Sequence, residues 1–551
     1  MISIIQLFLF SLLAIIFFFL AGSVFTHILY KNTGKNYLYS NICIQIFIGI
    51  IFVSIFSLII NFIYPLDRKI NSIIFIIILI IGFYFFSKIK KNNFLKFGLI
   101  AFISTVLLYK SKLFLPDAGL YHLPFIKIIN SEKIIFGLSN LHYRFGHISI
   151  IQYTSGFLNN FIFLDNGITI LPAILAGTFL FFLMNKIFFF KNIDINYLFI
   201  FFSFIFSIDY LDRYSNYGND APAFIFGILS IIFLIEYINS KKDESLFICS
   251  LLITFSFLIK PFFIILAVLP GYYFLINSFN SRVFEKKFLI IPILIFLWTL
   301  KTLINSGCLI YPMKITCIKN LSWSDINKTE FYEIAGEAAS KGYLDIIKNK
   351  KSNISMDQFN KDFNWLDTWF QNHFMIIFEK ISPYILFLIL FFTIAYLIKS
   401  KEYENTNLKK IYFINFSFFL FCIYWFLKFP LYRYGIFFIF VFLTLSAMIL
   451  FKNYLFKEKL LRINKIIVCI FLIVLISINF KRIINNNSNP VWPQIYNNNS
   501  KNYEKIFEGD TFIYTISKYS CMYDENLCSN WETNFYKLNN IKGYKFFISK
   551  N

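Results

Sequence analysis

Long runs of apolar residues without a single charge are the feature that most limits what this sequence can fold into. Residues 7–20, 42–63 and 73–86 are runs of this kind, and about 20 apolar residues in a helix cross a bilayer. Hydrophobic residues make up 58% of the chain and charged residues 15%, against about 45–50% and 25% in soluble domains. The alternation of a membrane β-barrel is absent. The sequence therefore excludes a soluble enzyme, a porin and a disordered scaffold, and predicts an all-α integral membrane protein.

The apolar pattern predicts about 14 transmembrane helices. They lie near residues 3–22, 41–63, 71–87, 94–110, 169–190, 195–211, 220–239, 246–259, 261–278, 288–305, 374–398, 411–427, 434–451 and 463–480. The chain is predicted to have five regions. Residues 1–93 are N-terminal helices, and residues 94–305 are a core with a first outer loop at 111–166. A large outer loop at 306–373, C-terminal helices in 374–480 and a tail at 481–551 follow. Strand-like runs at 511–516 and 544–548 predict a small α+β extracytoplasmic tail domain.

The net charge of +22 orients the chain in its membrane. The lysines and arginines fall mainly in short clusters between apolar runs, which is typical of cytoplasmic loops. This pattern places both termini outside the membrane, and it predicts no nucleic-acid partner. We expect the membrane to be a bacterial inner membrane. One apolar stretch, residues 148–164, has to stay out of the membrane for the orientation to hold. It carries Gln152, Asn159 and Asn160, and we expect a helix lying in the outer interface.

Four of the eight cysteines form two close pairs in predicted outer segments. Cys308 is near Cys317, and Cys521 is near Cys528. Disulfides persist in oxidising compartments such as the periplasm, so we expect both pairs to be bonded. Four free thiols are the alternative, because sequence alone does not prove pairing.

The first outer loop holds the densest group of chemically active side chains. Asp117 follows the fourth predicted span directly and belongs at the outer membrane face. A carboxylate held there can act as a general base toward a hydroxyl. The alternative is a turn residue that caps the next helix. We expect His122, His142 and Arg144 in the same loop to contact substrate.

A second acid, Asp220, opens a predicted span on the same side. An ionisable group at the membrane mouth of a helix is a functional candidate, and N-capping is its structural alternative. Asp209 and Asp212 lie nearby and compete for the same role.

Two cations also map to outer helix mouths. Lys260 precedes Pro261 between two apolar runs, and Arg433 opens another span. Such residues suit a phosphate, Arg through paired hydrogen bonds and Lys as a point charge. Snorkelling toward lipid headgroups is the alternative. A divalent cation stays open as a cofactor, since carboxylates suit Mg²⁺ or Mn²⁺ and imidazole suits Zn²⁺, but no spacing matches a structural zinc site.

The order of these features resembles the GT-C glycosyltransferases, which move a sugar from a polyprenyl-phosphate carrier. Four segments carry the resemblance: PDAGLYH at 116–122, NDAPAFIFGILSIIFLIEY at 219–237, SLLITFSFLIKPFFIILAVLPGYY at 250–273 and INSGCLIYPMKITCIKNLSWS at 304–324. The last resembles a loop of a bacterial subgroup whose activity is mostly unassigned. The resemblance covers roughly residues 94–450, so residues 1–93 are an addition.

The resemblance implies a role for each of the singled-out residues. Asp117 would be the base that activates the acceptor or an acid beside a metal, and Asp220 the second outer-loop acid. Lys260 and Arg433 would hold the donor phosphate. Many relatives have an acidic pair in the first loop, whereas Ala118 follows Asp117 here, which weakens the case for a metal. The expected acceptor is a glycan, a lipid or a protein at the outer face.

Three other function classes share parts of this pattern. A glycan polymerase or ligase would favour arginine-rich outer loops, but residues 306–373 contain no arginine. A lipid-glycan transporter would show repeated halves and mid-membrane sites, and the sequence has no internal repeat. A non-catalytic envelope assembly protein is the remaining alternative.

Overall fold

The fold comes from a computed structural model of the full chain. It describes residues 2–30, 41–85, 91–113, 115–147, 149–210, 217–277, 286–344, 354–398, 411–455, 457–496, 503–508, 511–516, 520–530 and 536–549.

The chain is a helical membrane protein. Within the described ranges, nine helices are long and apolar enough to cross a bilayer. They are Ser3–Leu29, Ile42–Asn61, Arg68–Phe85, Leu164–Phe189, Asp220–Ser240, Lys287–Ser306, Leu366–Leu397, Tyr432–Leu450 and Glu458–Asn485. Five shorter apolar helices coincide with the other predicted spans: Asn93–Leu108, Ile195–Ile208, Asp243–Ile259, Pro261–Ile276 and Tyr412–Lys428. A count of 14 crossings therefore stays a prediction.

Burial separates central helices from lipid-facing ones. In the most apolar 18-residue stretch of the helix Asp220–Ser240, 94% of the residues are buried. In the corresponding stretch of Glu458–Asn485, 17% are buried. Ile2–Leu29 and Ile42–Asn61 cross in backbone contact, because a side chain at either Gly22 or Gly49 would overlap the main chain of the opposite helix. Small residues allow this approach between membrane helices, where close packing drives association.

The first outer loop folds as a series of short helices: Leu115–Asp117, Ala118–His122, Leu123–Ser131, Leu138–Leu141, Tyr143–His147 and Ile151–Phe157. The predicted interfacial helix at 148–164 is wrong in form. Within the described residues 149–164 the α-helix is confined to Ile151–Phe157, and it is buried along its whole length. The two asparagines that follow this helix form hydrogen bonds inside the protein. The Asn159 side-chain amide donates to the Tyr523 hydroxyl at 2.7 Å, and the Asn160 oxygen accepts from the backbone N–H groups of Ile162 and Phe163 at 3.0 Å.

The described part of the large outer loop contains one substantial helix, Ile326–Ser340. Shorter helical turns lie at Lys314–Thr316, Met356–Asn360, Leu366–Trp369 and Phe370–Phe374. The Trp369 indole N–H donates to the carbonyl of Pro430 at 2.7 Å. This bond ties the end of the loop to the start of the span Tyr432–Leu450.

The tail folds back onto the first outer loop. Its strands are β1 Glu504–Glu508, β2 Thr511–Thr515, β3 Cys528–Ser529, β4 Tyr536–Ile541 and β5 Tyr544–Ser549. β1 and β2 are antiparallel, β2 and β3 are parallel, and β4 and β5 form a hairpin. The predicted strands of the tail are present, and the described part beyond Asn485 contains no helix.

Both predicted disulfides are confirmed as Cys308–Cys317 and Cys521–Cys528. The helix Ile2–Leu29 contacts both the first outer loop and the tail near its start. Near the N-terminus, the Phe10 ring packs on Phe163 and on Trp492.

Candidate functional site

A cavity of about 440 Å³ lies at the end of the bundle below the first outer loop. Residues far apart in the sequence line it. The structure brings together all the predicted site residues except His142, namely Asp117, His122, Arg144, Asp220, Lys260 and Arg433. Asp212 lies outside the described residues, as does the side chain of Asp209.

Asp117 sits between two arginines. Its Oδ2 accepts a hydrogen bond from Arg433 Nη1 at 3.2 Å, and its Oδ1 lies 3.7 Å from Arg144 Nη1. The Arg144 guanidinium also lies 5.0 Å from the centre of the Tyr121 ring. The carboxylate thus links the first outer loop to the span that begins at Tyr432.

Asp220 and Lys260 form a second ion pair at 2.5 Å. The first residue of the helix Asp220–Ser240 supplies the acid. Lys260 follows the helix Asp243–Ile259, which ends there because Pro261 cannot continue its hydrogen bonding. Lys260 Nζ also lies 4.1 Å from the centre of the Tyr434 ring. The predicted break at the lysine is therefore present, and it directs the ammonium group into the cavity.

The turn before Arg433 is fixed by two tryptophans. The Trp425 indole N–H donates to the carbonyl of Leu431 at 2.9 Å, and Trp369 holds the neighbouring Pro430. Gly435 lies directly against the Trp425 indole and leaves no room for a side chain. The arginine therefore projects from a rigid turn.

The segment after Asp117 is a π-helix, Ala118–His122. Such turns contain one extra residue and occur often at functional sites. The disulfide-closed loop of the tail supports it from behind, because the backbone N–H of Met522 donates to the carbonyl of Gly119 at 2.9 Å. A side chain at Gly119 would collide with Ser520 and Met522. The tail thus helps to place Asp117.

The predicted histidines occupy different positions. His122 lines the cavity, but it is 2% exposed and its Nδ1 contacts the Gln152 amide. His142 lies behind the cavity wall, where its Nδ1 accepts from the backbone N–H of Arg144 at 3.2 Å. The structure thus does not place His142 where a ligand in the cavity would touch it. Its contact supports the backbone of Arg144 instead.

Buried neutral histidines make the fold sensitive to mild acid. Burial lowers the pKa of His122 to about 4 and that of His142 to about 3. Between about pH 7 and 4 the unfolded chain binds protons that these folded histidines do not, so the free energy of unfolding falls as the pH falls. We expect a loss on the order of 1–2 kcal/mol per histidine at pH 5.

Thermal unfolding of the purified protein in detergent at pH 7.5 and pH 5 measures this effect. The double variant His122→Gln/His142→Gln should show a flatter pH dependence than the wild type. Equal unfolding midpoints for the wild type at the two pH values would contradict the prediction.

Sequence reasoning did not assign several cavity residues. His147, Tyr121, Tyr217, Asn219 and Tyr434 also line the cavity. Each of them lies within a few residues of a predicted acid or cation, and this proximity in sequence is the one signal that could have identified it. Among the described residues, no three His, Cys, Asp or Glu side chains come together as a metal-binding group.

A domain family of unknown function, DUF8201, matches residues 1–440, and the chain belongs to this family. No curated protein and no solved structure is significantly similar to the chain.

Proposed function

We propose that this chain is a glycosyltransferase of the outer face of a bacterial inner membrane. It moves a sugar from a polyprenyl-phosphate donor to a hydroxyl of a lipid, glycan or protein acceptor. The observation that carries the proposal is the cavity, which combines an excess of cations with a position at the mouths of membrane helices.

The charges of the cavity suit a phosphate group. Arg144, Lys260 and Arg433 outnumber the carboxylates of Asp117 and Asp220 by one. A lipid phosphate would take over part of the hydrogen bonding that the carboxylates now provide. Because the ion pairs hold the cations in place before the donor arrives, little reorganisation is needed when it binds.

The surroundings of the cavity suit an apolar tail. Ile259 and Pro261 line the wall beside Lys260. Phe262 follows and packs on Tyr424 and Phe438, which belong to the two spans joined by the turn before Arg433. A ligand with a charged head and an apolar tail could thus place its phosphate among the cations while its tail stays between apolar helices.

Binding of farnesyl phosphate, a short and soluble polyprenyl phosphate, tests the proposal. We expect it to raise the thermal unfolding midpoint of the purified full-length protein, whereas farnesol should not. The free energy of unfolding should rise by about 2.7 kcal/mol at 100 times the dissociation constant. Arg433→Gln and Lys260→Gln should each remove most of this stabilisation.

Arg68→Gln is the matched control. Arg68 also pairs with an aspartate, Asp165, but it does not line the cavity. This variant should keep the response to farnesyl phosphate. An equal response to farnesol, or a full response in Arg433→Gln, would contradict a phosphate site in the cavity.

A further inference from the structure

One histidine of the first outer loop faces the cavity openly. His147 is exposed, whereas His122 and His142 are each 2% exposed. Within the described part of the chain, neither nitrogen of the His147 ring has a hydrogen-bond or ion-pair partner. Its lone pair is therefore available to a ligand in the cavity.

The Tyr311 side chain fixes the orientation of the His147 ring. The Tyr311 ring meets the imidazole edge-on, with ring centres 5.1 Å apart. Tyr311 is 4% exposed and lies in the loop closed by Cys308 and Cys317. Its ring rests on Gly146, where any side chain would overlap it. The imidazole is thus held by a covalently closed loop and is not a mobile surface group.

Both carboxylates of the cavity are already engaged. Asp117 faces two guanidinium groups, and Asp220 is bonded to Lys260 at 2.5 Å. These contacts occupy oxygen lone pairs of both carboxylates. A general base needs an available lone pair within reach of the hydroxyl it activates.

We infer that His147, and not Asp117, accepts the proton of the acceptor hydroxyl. This inference rests on the proposed glycosyltransferase function. The acceptor oxygen forms a bond to C1 of the sugar while the bond from C1 to the phosphate oxygen breaks. The bonding electron pair leaves with the polyprenyl phosphate, whose negative charge Arg433 and Lys260 hold. The hydroxyl proton passes to the imidazole, which later returns it to water.

Electrostatics make this base responsive to the donor. The walls of the cavity surround the imidazole and desolvate it. This desolvation, followed by the positive charges of Arg144 and Lys301, lowers the pKa of His147 to about 4. The imidazole is therefore neutral before the donor binds. A phosphate anion beside Arg144 offsets that positive charge and raises the pKa of His147. The ring thus becomes a better proton acceptor when the donor is in place.

The test compares His147→Gln with the wild type in cells that express equal amounts of the full chain. Mass spectrometry of envelope glycans measures transfer. We expect a loss of 10²–10⁴-fold, the usual contribution of a general base. The purified His147→Gln protein should still be stabilised by farnesyl phosphate, which shows that it folds and binds the donor head. His27→Gln, in the helix Ile2–Leu29, is the matched control and should transfer normally.

Chemical rescue separates the base from a structural role. Imidazole added to the medium should restore part of the transfer in His147→Ala but none in Arg433→Gln. Wild-type transfer by His147→Gln, together with lost transfer in Arg433→Gln, would overturn the assignment of the base and leave the proposed function intact. If cells with and without the wild-type chain have the same glycans, the proposed function fails, and this inference fails with it.

Discussion

Asp117→Asn is expected to abolish glycan transfer in a chain that still folds. The carboxylate is the shared partner of Arg433 and Arg144, at 3.2 and 3.7 Å. Asparagine keeps the shape but removes the charge, so the two guanidinium groups lose the group that orients them. Phosphate still finds cations in the cavity, but it is no longer held in the reactive position. We expect transfer to fall at least about 100-fold, as when one preorganised electrostatic contact is lost.

The measurement is the amount of glycan product in cells with equal expression, read by mass spectrometry. Asp165→Asn is the matched control, because Asp165 is also an outer-loop aspartate paired with an arginine but does not line the cavity. We expect near-normal transfer from the control. Normal transfer from Asp117→Asn would remove Asp117 from the site and leave it as a turn residue.

Gly435→Ala is expected to disable the cavity without touching a charged residue. The new methyl group would overlap the Trp425 indole. That indole is 6% exposed, and its N–H is bonded to the carbonyl of Leu431, so it cannot move without shifting the turn before Arg433. Overpacking of this kind costs about 1–3 kcal/mol. The unfolding midpoint should fall, and the response to farnesyl phosphate should disappear.

Gly271→Ala provides the control for the glycine substitution. Gly271 lies in the helix Val268–Asn277, and nothing is within 4 Å of an added methyl group. Replacing glycine by alanine inside a helix is favourable by about 1 kcal/mol, so this variant should be as stable as the wild type or slightly more stable. Equal behaviour of the two variants would show that the packing of Trp425 on Gly435 does not position Arg433.

The sequence was informative where a signal is local. Uncharged runs marked the membrane helices, and the cysteine pairs were confirmed because each pair is separated by fewer than ten residues. The acids and cations of the cavity could be selected because each lies at or near the end of a predicted span, and spans of alternating direction return their ends to the same face. Asp117, Asp220, Lys260 and Arg433 meet there for that reason.

The burial of residues 148–164 and the positions of the histidines depend on tertiary packing and could not be predicted from the sequence. Residues 148–164 resemble an interfacial helix because they mix apolar residues with amides. The partners that bury Asn159 and Gln152, namely Tyr523 and His122, come from other segments of the chain. The same applies to the histidines. Whether His142 or His147 faces the cavity depends on the 3₁₀ turn Tyr143–His147 and on Tyr311, about 160 residues away in sequence.

Mass spectrometry of polyprenyl-phosphate lipids and envelope glycans tests the central claim most directly. The comparison is between cells that carry the wild-type chain and cells that lack it. A membrane glycosyltransferase predicts that a sugar-charged polyprenyl phosphate accumulates without the chain and that one envelope glycan loses a residue. Identical lipid and glycan profiles in the two cell types would contradict the claim.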